Sequence, residues 1–577
     1  MSVCKPFFTG HIENDLLFPF PAMDPDEAET FEMLRDSLRQ FAEDHIDSRE
    51  IDENAAIPDG VLEGLAEMGI FGVTVPEAYD GFGASHTFYA RVFETIAALD
   101  GSVVTTMGAH QSIGLKGILL FGTDEQKERF LPPLARGEQF AAFALTEPQA
   151  GSDAASIRSR AVWDDERDAW VLNGTKIWIT NGGFAEVFTV FAQTEVERNG
   201  ETKDRITAFL VPRSLDGVSS GPEEKKLGIK GSSTTEVHFE DVEVPAGLVL
   251  GEVGKGFKVA MEVLNSGRLG LASGCVGGVK ALLAEITRTA MDREQFGRPI
   301  AEFELIQKKL ARMALDAYAM ESMVWMTTGL MDRGVDDYSL ESAICKVYCS
   351  DAMWRVADEA LQVAGGMGYM KENPWELYLR DARINTIFEG TNEVLRLYTA
   401  LAGLEEPGES LQAVAKALRD PIKQFGLLTD YARERAMRAI AKPDLPELHP
   451  DVAEFADPLS EYVVELAGAV EWALRRYGKE IIERQLVLER IAEATTQLYR
   501  MACVISRADS ARRERDDLVG EAHVTRARWV VNDAWRKARR HLAMVRSNPD
   551  DDVRVVAAEL LASKGRHLPT GSDSSGR

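Results

Sequence analysis

The hydrophobic period of this chain changes twice, and the order of those changes restricts the fold more than any single motif. Up to about residue 140 apolar side chains recur every three to four positions. In DEAETFEMLRDSLRQFAEDHI, Phe31, Leu34, Leu38 and Phe41 share one helical stripe. Further helices read over PDGVLEGLAEMGI and around 105–120, and TDEQKERFLPPLARG opens on a Thr at an N-cap position and closes on glycine. Near 141 the chain turns to Val, Ile, Thr and aromatics, in AWVLNGTKIWITNGG, VFTVFAQTEV, RITAFLVPR and TEVHFEDVEVP. Asn173-Gly174 is a hairpin signal within this stretch, which runs to about 250. From 256 helices return: one long helix ended by Gly297, then 302–333, 338–366 and 392–403. EEPGES reads as a boundary. Beyond it 410–577 is helical again, with a Pro-rich break at KPDLPELHP (442–450) and an expected disordered end at GSDSSGR. Helices and strands are segregated, not alternating, so a doubly wound parallel sheet is excluded and an α+β multidomain class is expected. The expected domains are 1–140 (α), 141–252 (β), 253–405 (α) and 410–577 (extra α).

The 577 residues carry a net charge of −28, which argues against nucleic acid as a partner, because such binding needs basic faces to displace counterions. The stretch 505–546 is the exception, with Arg512, Arg513, Arg515, Arg536, Lys537, Arg539 and Arg540. These read first as a solvated face or as partners of acidic residues in the same chain, and second as a peripheral contact to anionic lipid. Five cysteines are no disulfide framework and point to a reducing compartment. Cys345 and Cys349 read as buried small apolar residues rather than metal ligands. MSVCKPFFTGHIENDLLFPFP lacks a basic stretch followed by an apolar core, and no run of about 18 apolar residues occurs, so no spanning helix is expected. The expected location is cytoplasmic, or the mitochondrial matrix if the chain is a processed form.

Seven short stretches stand out. FALTEPQAGSD (Phe143–Asp153) sits where helices give way to strands; its hydroxyls and bent backbone suit a ligand's polar edge, or merely a domain-crossing turn. WITNGG puts Trp178 and Thr180 on one strand face, suited to a flat ring or to a sheet core. GSSTTEV holds Ser232, and LNSGRLG holds Asn265 and Arg268 in a helical pattern. DREQFGRPI places Arg293 near a helix C-terminus, where a cation is favoured without any ligand. QVAGGMGYM has clustered glycines but no preceding strand, so it is not a dinucleotide fingerprint. RINTIFEGTNEVLR puts Glu389 after an Ile-Phe pair and before Gly390; a carboxylate is costly to ionise in apolar surroundings, although a surface junction with a glycine cap reads the same way.

Together, in this order, these stretches resemble the acyl-CoA dehydrogenase family. The resemblance is carried by LTEPQAGSD, KIWITNGG, DVEVP, LGEVGKGFKVAM, QFGRPI, GGMGYM, LRDARI and IFEGTNEVLRL, over about 20–405. GAHQSIGLKGILLFGT and the helical tail point to its very-long-chain branch. The resemblance implies an N-terminal helical domain, a central β-barrel or sandwich-like domain, a helical bundle and an extra C-terminal helical domain. It implies FAD-dependent conversion of a long-chain acyl-CoA to its trans-2-enoyl-CoA in β-oxidation, with electrons passed to an electron-transfer flavoprotein, in at least a homodimer. An oxygen-using oxidase and a non-catalytic assembly factor on the same scaffold are the alternatives.

By resemblance Glu389 is the base. Phe143, Leu145, Thr146, Gly151, Ser152, Trp178 and Thr180 line the FAD, as do Thr391 and Glu393. Arg293, Phe296, Gln362, Gly365 and Gly366 reach the FAD of a neighbouring subunit. Ser152, Ser232, Asn265, Arg268 and Gly390 bind substrate. Gly114 and Gly117, at the pocket wall, leave room for chains of roughly C14 and above, each buried CH₂ adding ~0.8 kcal/mol.

Overall fold

In the computed structural model of the chain, residues 2–198, 200–417 and 442–564 are described; GSDSSGR lies outside them. The first helical block begins with α1 (Pro25–His45), capped by the Asp24 side chain, which accepts from the N–H of Asp26 and Glu27. Phe31, Leu38 and Ala42 are its buried stripe, with Leu34 only partly covered. They pack toward α2 (His86–Leu99) and α3 (Gly101–Gly108) around Phe88, Val92, Phe93 and Val103. A π-helical turn, Ala109–Gly114, follows α3. α4 (Asp124–Ala135) starts with a reciprocal cap between Thr123 and Gln126.

The β domain is one eight-stranded sheet. Its strands are β1 (Ala141–Ala144), β2 (Arg160–Asp164), β3 (Ala169–Thr180), β4 (Val187–Arg198), β5 (Glu201–Pro212), β6 (Val218–Ser220), β7 (Thr234–Pro245) and β8 (Val249–Leu250). Their order is β6-β7-β3-β2-β4-β5-β8, with β1 beside β4 in parallel. Asn173-Gly174 is not a hairpin turn. β3 runs straight through it, and the register slips between Leu172 and Gly174 as a bulge. Gly174 has φ +154, and a Cβ there would run into Ser159.

Helices resume with α5 (Gly256–Asp292), whose most apolar 18 residues have a mean hydropathy of 1.5 and are 61% buried, the signature of a central bundle helix. α5 stops at Asp292, short of Gly297. Residues 294–299 instead form a small hairpin, β9 (Glu294–Gln295) with β10 (Arg298–Pro299). Phe296 (φ +54) and Gly297 (φ +79) make its two-residue turn. α6 (Glu304–Asp332), α7 (Ser339–Ala364), α8 (Trp375–Ala382) and α9 (Asn392–Gly403) complete the bundle. EEPGES opens a new helix, α10 (Glu405–Ala417), just after α9 ends at Gly403; its proline falls in the first turn, where a missing N–H costs nothing.

The tail helices α11 (Ala456–Tyr477), α12 (Gln485–Glu514) and α13 (Leu518–Arg546) do not enclose a core of their own; α14 (Asp550–Ala562) follows them. One continuous apolar cluster runs from α5, α6 and α7 into α11, α12 and α13. At its centre the Tyr499 hydroxyl lies 2.8 Å from Thr327 Oγ1. Residues 2–8 are threaded into this same core: Val3, Cys4, Phe7 and Phe8 are buried, and Glu341 accepts hydrogen bonds from Ser2 Oγ (2.6 Å) and Cys4 N (2.8 Å). Cys345 and Cys349 are buried bundle residues. Arg512, Arg513 and Lys537 each pair with an aspartate of the tail: Asp451 and Asp516, Asp509, and Asp533 respectively.

Candidate active site

A cavity of about 240 Å³ lies where α2, α3, α5 and α8 converge, and Glu389 is in its wall. Of the Ile-Phe pair only Phe388 lines the cavity, while Ile387 is exposed. Phe93, Val104, Ile113 and Leu271 add apolar lining from four other elements. Glu389 itself has φ +58 and Gly390 φ +90, two consecutive left-handed residues. Only the second is eased by being glycine, so the first stores backbone strain, which clusters at functional sites.

Two cations hold this turn. Arg268 Nε donates to Glu389 O at 3.2 Å and Arg268 Nη1 to Asn265 Oδ1 at 2.9 Å. Lys346 Nζ donates to Gly390 O and to Asn392 Oδ1, both at 2.8 Å. Thr391 caps α9 by accepting from Val394 N, and Glu393 is exposed on the first turn. Burial raises the Glu389 carboxyl to about 7, against the opposing pull of Arg268 and Lys346. Glu389 Oε2 is buried with no hydrogen-bond partner. The Glu389 N–H likewise meets no acceptor among the described residues. The turn, in the cavity wall, thus carries a carboxylate oxygen and a backbone N–H that both lack partners.

Thr180, at the end of β3, is in the cavity wall. Between Lys176 and Ile179 the register of β3 slips again, and Trp178 takes φ +57. The bulge turns the indole outward, leaving it 62% exposed, while Ile177 and Ile179 stay buried. Phe143, on β1, packs on Phe191. The loop that follows, Leu145–Asp153, is bound to β3 by Ile177 N donating to Thr146 O (3.0 Å) and by a buried ion pair, Lys176 Nζ to Glu147 Oε1 at 2.7 Å. Burial alone would raise the Glu147 carboxyl; Lys176 and the N–H groups of Arg158 and Ser159 outweigh it and hold it at about 2. Gly151 and Ser152 stand exposed at the loop tip, with nothing within 4 Å of the Gly151 Cβ position. An outward indole face, a hydroxyl in the cavity wall and an open loop fit the flat ring system and polar chain of FAD.

Arg293, Phe296, Gln362, Gly365 and Gly366 form a second cluster, roughly 28 Å from Lys346 along α7. Arg293 Nη1 donates to Ala364 O at 2.6 Å, and Phe296 at the hairpin tip is 95% exposed.

Of the expected positions only Glu389 and Thr180 line this cavity; Ser232, Gly114 and Gly117 are packed elsewhere. Ser232 is buried, its hydroxyl donating to Ile229 O and accepting from Lys226. Gly114 abuts Ala109 O and Ala141, and Gly117 faces Leu250, Val263 and Thr189. Both glycines pack the α domain against the β domain. The glycines that do pave the cavity are Gly101, Gly108, Gly267, Gly274 and Gly278. Sequence reasoning missed these, along with Lys346 and the Glu147–Lys176 pair. The helical spacing Gly267, Gly270, Gly274, Gly277 and Gly278 in α5 was the available signal.

Residues 28–138, 142–242 and 254–403 match the N-terminal, middle and C-terminal domains of acyl-CoA dehydrogenase, and 450–565 match the ACAD9/ACADV C-terminal domain. The chain is 43% identical over 559 residues to the very long-chain specific acyl-CoA dehydrogenase, mitochondrial, of Bos taurus, covering 95% of this chain and 85% of that one. It is similar to the crystal structure of an acyl-CoA dehydrogenase complexed with FAD from Bacillus anthracis: TM-score 0.78, 32% identity, 98% of this chain and 95% of that one. It also matches a structure described as the electron transferring flavoprotein of Acidaminococcus fermentans: TM-score 0.62, 36% identity, 67% of this chain and 99% of that one. The match spans the buried carboxylate, the β-domain face beside it and the helical tail alike: this chain belongs to the acyl-CoA dehydrogenase family, as an FAD enzyme that dehydrogenates acyl-CoA thioesters.

Proposed function

We propose that the chain dehydrogenates long-chain acyl-CoA to the trans-2-enoyl-CoA with Glu389 as the base. The observation that carries this reading is a strained, buried carboxylate whose Oε2 and backbone N–H are both unpartnered beside an apolar cavity. The α-carbon of a thioester is a weak acid, so proton loss needs a polarised carbonyl and a base in a dry site. The Glu389 N–H polarises the carbonyl, and the carboxylate takes the α-proton. A carboxyl at about 7 is a far better base than one in water. Phe93, Ile113 and Leu271 exclude water from it and bury the acyl chain.

Bound FAD supplies the hydride acceptor for the β-carbon. Phe143, Leu145, Thr146, Gly151, Ser152, Trp178, Thr180, Thr391 and Glu393 would hold it on one subunit. Arg293, Phe296, Gln362, Gly365 and Gly366 would hold it from a second copy, and the uncovered Phe296 ring supports that homodimer. Asn265, Arg268 and Gly390 would hold the substrate arm. Electrons pass on to an electron-transfer flavoprotein. The internal pairing of Arg512, Arg513 and Lys537 supports a structural role for these side chains over lipid contact.

Anaerobic titration of the FAD-loaded protein with palmitoyl-CoA tests this. The visible flavin band should bleach in wild type and persist in Glu389→Gln with FAD still bound. A Glu389→Gln protein that bleaches at the wild-type rate would overturn the assignment of the base. Peroxide release under air would move the reading to an oxidase.

A further inference from the structure

The proposed chemistry uses Glu389 but leaves unexplained why a fully buried ammonium sits behind it. Lys346 is 0% exposed, on the face of α7 turned toward the 387–391 turn. An ammonium is costly to bury and is retained where it is paired. Here its two hydrogen bonds go to neutral oxygens, Gly390 O and Asn392 Oδ1. Asn392 is itself oriented: its Nδ2 donates to Ser350 Oγ at 2.9 Å and to Asp351 Oδ1 at 2.8 Å, which leaves Oδ1 to face Lys346. Arg268 does the same from α5, with its Nε on Glu389 O. Consecutive carbonyls, those of residues 389 and 390, are thus each held by a buried cation, and neither cation hydrogen-bonds the carboxylate.

We propose that Lys346 is a positioning residue for Glu389: it pins the left-handed 389–390 turn through Gly390 O and sets a fixed positive charge behind the carboxylate without occupying its lone pairs. This rests on Glu389 being the base. A direct ion pair would hold the carboxylate and cost it basicity. Cations bound to the backbone stabilise the ionised form, yet leave both oxygens free to accept a proton. They also fix a backbone conformation that Glu389 would not keep unaided.

The titratable neighbours are few. Glu389 faces Arg268 from α5 and Lys346 from α7. Lys346 faces Glu389, Cys275 and Arg268 from α5, and Asp351 from its own helix. Burial brings Lys346 down to about 8, while Glu389 stands at about 7. Both groups carry charge together only in the interval between.

The test is anaerobic stopped-flow reduction of the flavin by palmitoyl-CoA from pH 6 to 9, on the FAD-loaded full chain and on Lys346→Gln, Lys346→Met and Lys346→Arg. Wild type should rise in rate near pH 7 and fall above about 8. Lys346→Gln and Lys346→Met should lose the falling limb, shift the rising limb upward by about one pH unit, and slow by about a hundredfold at pH 7. Lys346→Arg, which stays charged across this range, should restore the rising limb to its wild-type position and show no falling limb. FAD content and KM should stay near wild type, and thermal midpoints at pH 6 and 8 report the folded state independently of turnover. Wild type with no falling limb, or a folded FAD-loaded Lys346→Gln with wild-type limbs, would overturn the proposal. Wild type whose flavin is not reduced at all would instead overturn the choice of Glu389 as base.

Discussion

The Cβ that Gly267 lacks would lie 2.8 Å from Oε2 of Glu389 and 2.7 Å from Cγ2 of Ile113. The proposed base therefore owes its position to an empty place on a facing helix. Gly267→Ala should crowd the carboxylate out of its pocket, with an overpacking cost of about 1–3 kcal/mol and a rate loss of about a hundredfold. Flavin reduction by palmitoyl-CoA is the readout, with FAD content as the control. A wild-type rate would show that the 387–391 turn can shift without consequence.

The Glu389 carboxyl also marks the stability of the fold. Burial raises it to about 7, above its usual value near 4.5. The folded state thus holds this proton more tightly than the unfolded chain. The resulting stabilisation is complete below about pH 4.5 and is lost as pH rises to about 7, on the order of 3 kcal/mol in all. Glu389→Gln lacks that loss. Its thermal midpoint should gain on wild type between pH 5 and pH 8, and parallel curves would contradict the shift.

Chain-length preference should respond to the cavity glycines rather than to Gly114. A Cβ at Gly274 would meet Phe93 at 3.2 Å, so Gly274→Leu narrows the space between α2 and α5. Each methylene excluded from burial forfeits ~0.8 kcal/mol, about fourfold in apparent affinity. The optimum should move toward shorter acyl-CoA. Gly114→Leu should instead lower stability, by crowding Ala109 O and Ala141, and leave the chain profile where it was. A profile that moves with Gly114 and not with Gly274 would reverse this assignment.

Glu147→Gln should strip the buried Lys176 of its counter-charge. Breaking such a pair from one side costs about 3–5 kcal/mol. The same change frees the Leu145–Asp153 loop, so FAD should dissociate at lower denaturant than the global transition. Coincident flavin release and unfolding, at the wild-type midpoint, would argue that the loop is held by other means.

The helical and strand blocks were legible in the sequence because period and composition are local properties. Phe31, Leu38 and Ala42 are buried where their spacing put them, and the Thr123 cap formed as its sequence implied. What escaped was set by contacts between distant segments. Nothing near Trp178 or Glu389 marks either as left-handed; bulge and turn are imposed by β7 in one case and by Arg268 and Lys346 in the other. Asn173-Gly174 has the composition of a turn, but β7 offers it a partner and it stays in the sheet. Gly297 looked like a helix stop and is a hairpin turn, because Arg293 has already left α5 to bond Ala364 O. Gly114 and Gly117 were read as leaving room for an acyl chain; that space is instead filled by neighbours such as Ala141, Leu250 and Thr189, the last more than seventy residues further on, which the local sequence does not show.

The burial of residues 2–8 has a consequence for how this chain comes to be folded. Ser2 and Cys4 bond Glu341, and Phe8 fills the space left open at Gly403. These partners are synthesised some 340 to 400 residues later. Closing so long a loop is slow and is rewarded only at the end. Phe7 and Phe8 must therefore wait, uncovered, while the α domain, the sheet and most of the bundle take shape, so that a segment made well before its partners is among the last to be sealed in.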